Sequence, residues 1–271
     1  MQELPRRPSV AARRDAIARL VIEHGTISVA QLAQMLGVSG MTIHRDLNEL
    51  AAEGEIRRTR GGASAEPSAV FESSARYRMT RQAPAKEAIA RAALAHIKPG
   101  MSLMLDASTT VLTLARMLDS IGPTTVITNF LETIKAVSNS RDTQLVALGG
   151  QYDRNYDAFI GVQCLSSIQG VRADLGFISI SAVSGGMAYH QEEQMVQLAQ
   201  AMLQSSERVI LLVDSSKLGR IALNTVFPLS EVDLLITDSE ASLAQIRDLE
   251  RHEIRFEIVP MSAPAVEATH S

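Results

Sequence analysis

Two groups of side chains in this 271-residue chain have the types and spacing for recognition chemistry. The first is Ser39, Met41, Thr42, His44, Arg45 and Asn48, followed by Arg58 and Arg60. A guanidinium is a planar fork of donors that fits guanine O6 and N7 or a phosphate, and a helix carrying such residues on one face reads base edges in a major groove. The second is a set of polar segments, each directly after an apolar run: Asp106-Ala107-Ser108-Thr109-Thr110, Thr128-Asn129, Gly149-Gly150 and Asp214-Ser215-Ser216-Lys217. Hydroxyls and free backbone N–H groups at a helix start suit an anion. Lys217 offers it a cation, and the glycines let a ligand approach the backbone. Asp106 would repel phosphate, so it orders the loop or accepts a sugar hydroxyl. Ser108 alone is an ordinary helix cap and Lys217 alone an ordinary surface charge. Four polar loops in succession point to a small-molecule ligand.

Catalytic and metal chemistry are not expected. Asp106, Asp174 and Asp214 are single carboxylates with no paired acid and base. The six His (24, 44, 96, 190, 252 and 270) lack ligand spacing, and one cysteine, Cys164, excludes an internal disulfide or a cysteine-based zinc framework. No cofactor motif stands out.

The elements that must position the first group are three helices and a hairpin. Val10, Ile17, Leu20 and Val21 recur at helical spacing before Gly25, which predicts a helix over 9–24. Ser28 and Gln31 form a capping box at the head of a short second helix ended by Gly37. Ser39 caps a third, in which Ile43, Leu47, Leu50 and Ala51 share one face. Met41, Arg45 and Asn48 lie opposite, with Thr42 and His44 at the margins. This is a helix-turn-helix whose last helix enters the major groove. Glu55 to Gly62 then reads as the wing of a winged helix, with Arg58 and Arg60 on phosphates. Asp46 on this helix is expected to hold a neighbouring Arg rather than meet DNA.

Residues 63–83 read as a linker with some helix near 70–81. Pro84 opens an amphipathic helix. From residue 100 short apolar runs (101–105, 125–128, 145–148, 175–180, 209–213, 234–237 and 254–259) alternate with helices near 109–118, 130–139, 191–204 and 241–250. That pattern predicts a doubly wound α/β domain with a parallel sheet, whose ligands sit beyond the carboxyl ends of the strands. Tyr152, Asp153, Arg154, Tyr156 and Asp157 crowd a loop that could close over such a ligand. Methionines such as 35, 117 and 202 fall at apolar helical positions and read as core.

A composition 46% hydrophobic and 21% charged excludes wholesale disorder. No apolar run approaches the roughly 18 residues of a membrane span, and no apolar signal segment follows the polar start, so a cytoplasmic protein is expected. The net charge of −4 argues mildly against DNA until it is divided. Residues 1–62 hold nine Arg against seven acids, +2, and the rest holds 17 basic and 23 acidic residues, −6. A basic head on an acidic body fits a DNA module beside a different one.

With these residues in place, the chain resembles the DeoR family of bacterial transcriptional regulators. Val38-Ser39-Gly40-Met41-Thr42-Ile43-His44-Arg45-Asp46-Leu47 and the wing ending Gly61-Gly62-Ala63 follow the family's signature, with His44 where Arg is usual. Asp106–Thr110, Thr128-Asn129, Leu148-Gly149-Gly150, Phe159-Ile160-Gly161, the stretch 173–177 and Asp214–Gly219 resemble its sensor domain, a fold similar to ribose-5-phosphate isomerase and CoA-transferase enzymes. The resemblance implies a winged helix-turn-helix over 1–62, a linker over 63–83, an α/β effector-sensing domain over 84–260 and a flexible tail over 261–271. It implies binding of double-stranded operator DNA by a homo-oligomer, a dimer or higher, with no membrane partner. It also implies repression of a carbohydrate operon relieved by a phosphorylated sugar or related metabolite. Ser108, Thr109 and Thr110 would contact the phosphate, with Lys217 beside them. Gln197 stands where the family has Lys, which lowers the charge at the pocket. The second reading is an enzyme, a sugar-phosphate isomerase or CoA-transferase, with an appended helical domain.

Overall fold

The computed structural model describes residues 9–261. The expected tail therefore lies, apart from Met261, outside the described residues, as do Arg6 and Arg7 at the basic head. The chain divides into two compact units, one running to Thr80 with Arg154–Tyr156 and the other holding Arg81–Asp153 and the residues from Asp157 onward.

The first unit contains α1 (Val10–His24), β1 (Thr26–Ser28), α2 (Val29–Leu36), α3 (Gly40–Ala52), β2 (Arg57–Thr59), β3 (Gly62–Ser64) and α4 (Ala75–Thr80). Both predicted caps form: Ser28 and Gln31 make the reciprocal box on α2, and Ser39 accepts from Thr42 N on α3. The structure adds a third, Ser9 on α1. Ile17, Val21, Leu32, Ile43, Leu47 and Leu50 bury together as one core. Met35 departs from expectation: it is 52% exposed, because α2 buries only Leu32 fully.

The strand β1 has no counterpart in the sequence pattern. Three residues between two helices carry no period, yet β1 pairs with β3, so the wing is a three-stranded sheet in the order β1-β3-β2. That pairing explains the second glycine of Gly61-Gly62. A Cβ on Gly62 would lie 2.2 Å from the carbonyl oxygen of Ile27. Gly62→Ala must push β1 off β3, and overpacking against backbone costs about 2 kcal/mol or more. Thermal unfolding of the variant is expected to show the loss, and an unchanged melting temperature would refute the steric account.

The second unit contains α5 (Ala83–Leu94), β4 (Ser102–Leu105), α6 (Thr109–Ala115), β5 (Thr124–Thr128), α7 (Leu131–Val137), β6 (Thr143–Ala147), β7 (Gln151–Asp153), β8 (Ala158–Ile160), α8 (Gly161–Gln169), β9 (Ala173–Ile178), β10 (Ala182–Ser184), β11 (Met187–His190), α9 (Glu193–Gln204), β12 (Ser206–Leu212), β13 (Asn224–Pro228), β14 (Leu234–Asp238), α10 (Leu243–Arg251) and β15 (Phe256–Val259). Seven strands form one sheet in the order β15-β14-β12-β9-β4-β5-β6, every neighbouring pair parallel. Leu103 and Leu105 bury on the face covered by α5 and α6, and Met104 buries on the face covered by α8 and α9. Short β strands alternating between two helical layers thus give the doubly wound architecture.

The order carries the consequence for function. The chain starts at β4, moves outward through β5 and β6, returns to the other side of β4 as β9, and moves outward through β12, β14 and β15. Its direction reverses between β4 and β9. At such a switch point the two following loops leave in opposite directions and open a crevice at the carboxyl edge.

The 151–157 stretch is not an open loop. Gln151–Asp153 and Ala158–Ile160 pair as a hairpin, with the Tyr152 hydroxyl donating to Asp157 at 2.6 Å and packing on Phe159 at 5.9 Å between ring centres. A second antiparallel sheet, β10-β11-β13, was also not foreseen.

Candidate DNA interface and effector site

In the first unit α3 presents its polar face outward. Met41 is 75% exposed, and His44, Arg45 and Asn48 are exposed, while Thr42 is partly covered. Ser39 is exposed, and its hydroxyl is already engaged with Thr42 N and Oγ1 at 3.2 and 3.0 Å, so its established work is to cap the helix. Arg60 sits exposed at the turn between β2 and β3. Arg58 turns toward α3: its Nη2 donates to His44 Nδ1 at 3.1 Å. The wing is thereby tied to the outward face of α3.

Asp46 does hold arginines. It is buried, and it accepts from Arg13 Nε at 2.6 Å, Arg13 Nη2 at 3.2 Å and Arg14 Nε at 3.3 Å. The hydrogen bond to Asp46 pushes the Arg13 guanidinium up from its ordinary value, against a smaller opposing effect of burial.

In the second unit the candidate effector residues follow four of five adjacent strands. Asp214–Lys217 follows β12, Asp106–Thr110 follows β4, Asn129 follows β5, and Gly149-Gly150 follows β6. Between β12 and β4 lies β9, and its next residue, Ser179, joins the others. Ser179 N donates to Asp106 Oδ2 at 2.7 Å, and Lys217 Nζ donates to Ser179 Oγ at 3.2 Å. Asp106, Ser179 and Lys217 thus form a hydrogen-bonded chain across the switch point. Ser179 is hidden in the sequence because it falls within the apolar run 175–180. The signal was present as a Ser interrupting aliphatic residues where the run should end.

The neighbouring groups fix this chain in place. Ser108 caps α6 by accepting from Val111 N, and Thr109 and Thr110 are buried. Asp238, at the end of β14, accepts from Ser215 N at 2.7 Å, and Ser216 Oγ donates to Asp214, so the 214–217 turn is held from two sides. The helix that begins at Thr109 is only seven residues long, shorter than the 109–118 expected, and a separate 3-10 turn takes Leu118–Ser120.

The outer residues are less directly placed. Neighbouring strands lie about 4.8 Å apart, so β12 and β6 are about 19 Å apart. One phosphate cannot touch both Lys217 and Gly149-Gly150. A Cβ on Gly150 would sit 2.5 Å from Ile160 O, so chain packing already requires that glycine. Gly149 is exposed and open. Asn129 is buried, with Nδ2 donating to Phe159 O at 2.8 Å and Oδ1 left without a partner. Burial beside it pushes the Cys164 thiol up to about 11, a hydrogen bond from Asn129 opposing the rise, which makes Cys164 a packing residue. Gln197 is exposed on α9.

Asp174 belongs to the opposite edge. It lies at the start of β9, where the backbone N–H and the hydroxyl of Ser102 both donate to it at 2.7 Å and hold its carboxyl below the ordinary range. It is therefore separated from Asp106 and Asp214 by the length of a strand. Among the described residues no His, Cys, Asp or Glu cluster could hold a metal ion, and no helix is long and apolar enough to cross a membrane.

Comparison with known proteins agrees with both units. Residues 81–239 match the family model described as the DeoR C terminal sensor domain, and residues 13–68 match the DeoR-like helix-turn-helix domain. The chain is 32% identical over 247 residues to a glycerol-3-phosphate regulon repressor of Escherichia coli, covering 91% of this chain and 98% of that one. It is 32% identical over 243 residues to an L-fucose operon activator of Haemophilus influenzae, covering 89% and 97%. Among solved structures, ribose 5-phosphate isomerase A of Methanocaldococcus jannaschii is similar with a TM-score of 0.36 at 17% identity, over 49% of this chain and 52% of that one.

Proposed function

The chain belongs to the DeoR family of transcriptional regulators, and from that premise we propose that it represses a carbohydrate-related catabolic operon and is released by a phosphorylated sugar bound at the β4/β9 switch point. It is a DNA-binding regulator with a small-molecule sensor domain, not an enzyme. Repression is supported by the similar glycerol-3-phosphate regulon repressor, whose name also points to a phosphorylated ligand class. The proposed division of labour is DNA binding within 1–62 and effector sensing over 84–260; the 63–83 stretch expected as a linker is in its larger part structure of the first unit, because Ala63 and Ser64 complete the wing sheet and Tyr77 on α4 joins that unit's core.

One observation carries the effector reading: the chain from Lys217 through Ser179 to Asp106 at the crevice. Lys217 supplies a cation for the phosphate, with Ser108, Thr109 and Thr110 lining the adjoining turn. Asp106, held by Ser179 N, accepts a sugar hydroxyl on the far side from the phosphate. Asn129 and Gly149-Gly150 border the sugar end. A thermal-shift series tests this. A saturating ligand stabilises by about 2.7 kcal/mol at a hundredfold excess over Kd, a rise of about 5–10 °C for a unit of this size. Phosphorylated sugars are expected to give it, and their unphosphorylated counterparts are not. Equal shifts from both sets would contradict the reading.

For DNA we assign Met41, Thr42, His44, Arg45 and Asn48 to base edges, and Ser39, Arg58 and Arg60 to the surrounding backbone. One helix reads few base pairs, so the protein acts in the cytoplasm as a dimer or higher oligomer on half-sites about 34 Å apart. Arg45→Ala is expected to weaken operator binding by about 1–3 kcal/mol through loss of a bidentate guanine contact. Unchanged affinity in a gel-shift titration would remove Arg45 from the reading set.

A further inference from the structure

We infer that His44 is a specificity-determining residue that reads its base through a single donor, Nε2–H, and that Arg58 on the wing is the positioning residue that fixes it so. The inference rests on α3 being the helix that meets DNA.

The chemistry follows from one contact. Arg58 Nη2 lies 3.1 Å from His44 Nδ1. A guanidinium has donors and no acceptor, and it keeps its proton under all ordinary conditions. The Nδ1 atom must therefore supply the lone pair. An imidazole that accepts at Nδ1 carries its proton on Nε2, so the bond selects one neutral tautomer of the two. The other nitrogen lies across the ring from Arg58. Among the described residues no protein acceptor takes it, and His44 is exposed on the same face of α3 as Arg45, one turn beyond Met41 and one turn before Asn48.

A lone donor in the major groove discriminates in a defined way. Guanine N7 and O6, adenine N7 and thymine O4 accept, whereas the cytosine N4 amine donates and is refused. Arg45 can fork onto a guanine; His44 cannot, and asks only for an acceptor. Arg58 also couples the two DNA elements, because a wing displaced from α3 frees the imidazole to change tautomer.

Two amides separate the ring's two functions. In His44→Asn the short amide can still accept from Arg58 but does not extend to the Nε2 position. In His44→Gln the longer amide places a donor near the Nε2 position but gives up the acceptor for Arg58. The experiment is selection of double-stranded operators from a random pool by the full-length protein, its variants and Arg45→Ala. The expected result is that His44→Asn loses about fivefold of discrimination against cytosine at one base pair per half-site, while His44→Gln keeps that preference at lower affinity. Imidazole 15N shifts of the full chain, in the wild type and Arg58→Met, give the second readout. Wild-type His44 is expected as the Nε2–H tautomer, and Arg58→Met is expected to mix the two and weaken the same base preference. Identical operators from wild type and His44→Asn, or a tautomer indifferent to Arg58, would overturn the inference. If Arg45→Ala also selects the wild-type operator, the failure lies with α3 as the reading helix.

Discussion

Replacing Asp46 by alanine is expected to cost the DNA-binding unit about 3 kcal/mol and to lower its melting temperature by about 12–20 °C. The carboxylate is buried on α3 and takes three hydrogen bonds from α1, two from Arg13 and one from Arg14. Removing it leaves two adjacent cations without their shared counter-charge. Arg13 and Arg14 are 15% and 26% exposed, so water partly hydrates them, which keeps the cost at the lower end for a broken buried pair. Operator affinity should fall with stability, because the reading helix loses its anchor to α1. Asp46→Asn keeps one acceptor and should fall between. Calorimetry of the full chain checks this; a melting transition within 2 °C or so of wild type would show the pair to be dispensable.

Asp106→Ala is expected to abolish the effector response while leaving operator binding intact. Two effects combine. Ser179 N, at a residue only 9% exposed, loses its acceptor, at about 1–3 kcal/mol. The crevice also loses the group proposed to accept a sugar hydroxyl and, through Ser179, the arrangement proposed to present Lys217 to the ligand. Together these should raise the effector Kd by about two orders of magnitude. Asp106→Asn retains an oxygen for Ser179 N and isolates the charge. Asp174→Ala, at the opposite edge of the sheet, should lower stability without changing the response. Isothermal titration with the strongest thermal-shift hit reads all three, and equal ligand affinity in wild type and Asp106→Ala would remove the switch point from effector binding.

Much of this was legible because local signals agreed with the tertiary outcome. Ser28 with Gln31, and Ser39, are caps whose side chains need only their own helix, so they are readable one helix at a time. The five inner parallel strands are readable because strands buried on both faces are continuous apolar runs, while the edge strands β6 and β15 are partly exposed and show only shorter runs. Asp46 was legible as a partner for arginine, since a carboxylate beside a basic face is better placed inward. What escaped depends on distant partners. β1 exists only because β3 lies beside it, and the hairpin at 151–160 rests on the β7–β8 pairing and the Tyr152–Asp157 bond, neither of which shows as a period along the chain. Ser179 became part of the site only when the strand order set β9 next to β4. The Arg58–His44 contact needs the wing folded back on α3, which no spacing along the chain encodes. Polar loops on separate strands pointed toward one edge of the sheet, but not which of them meet. Gly150 was read as room for a ligand and is accounted for by Ile160.

A ligand bound in the sensor domain is expected to change the affinity of the helix-turn-helix for its operator. Fluorescence anisotropy of a labelled, selected operator titrated with the full-length protein, with and without saturating sugar phosphate, measures this directly. The ligand is expected to weaken operator binding at least about tenfold, and saturating operator to weaken ligand binding by the same factor, as linkage requires. Operator affinity that stays the same while the ligand demonstrably fills the sensor domain would contradict it.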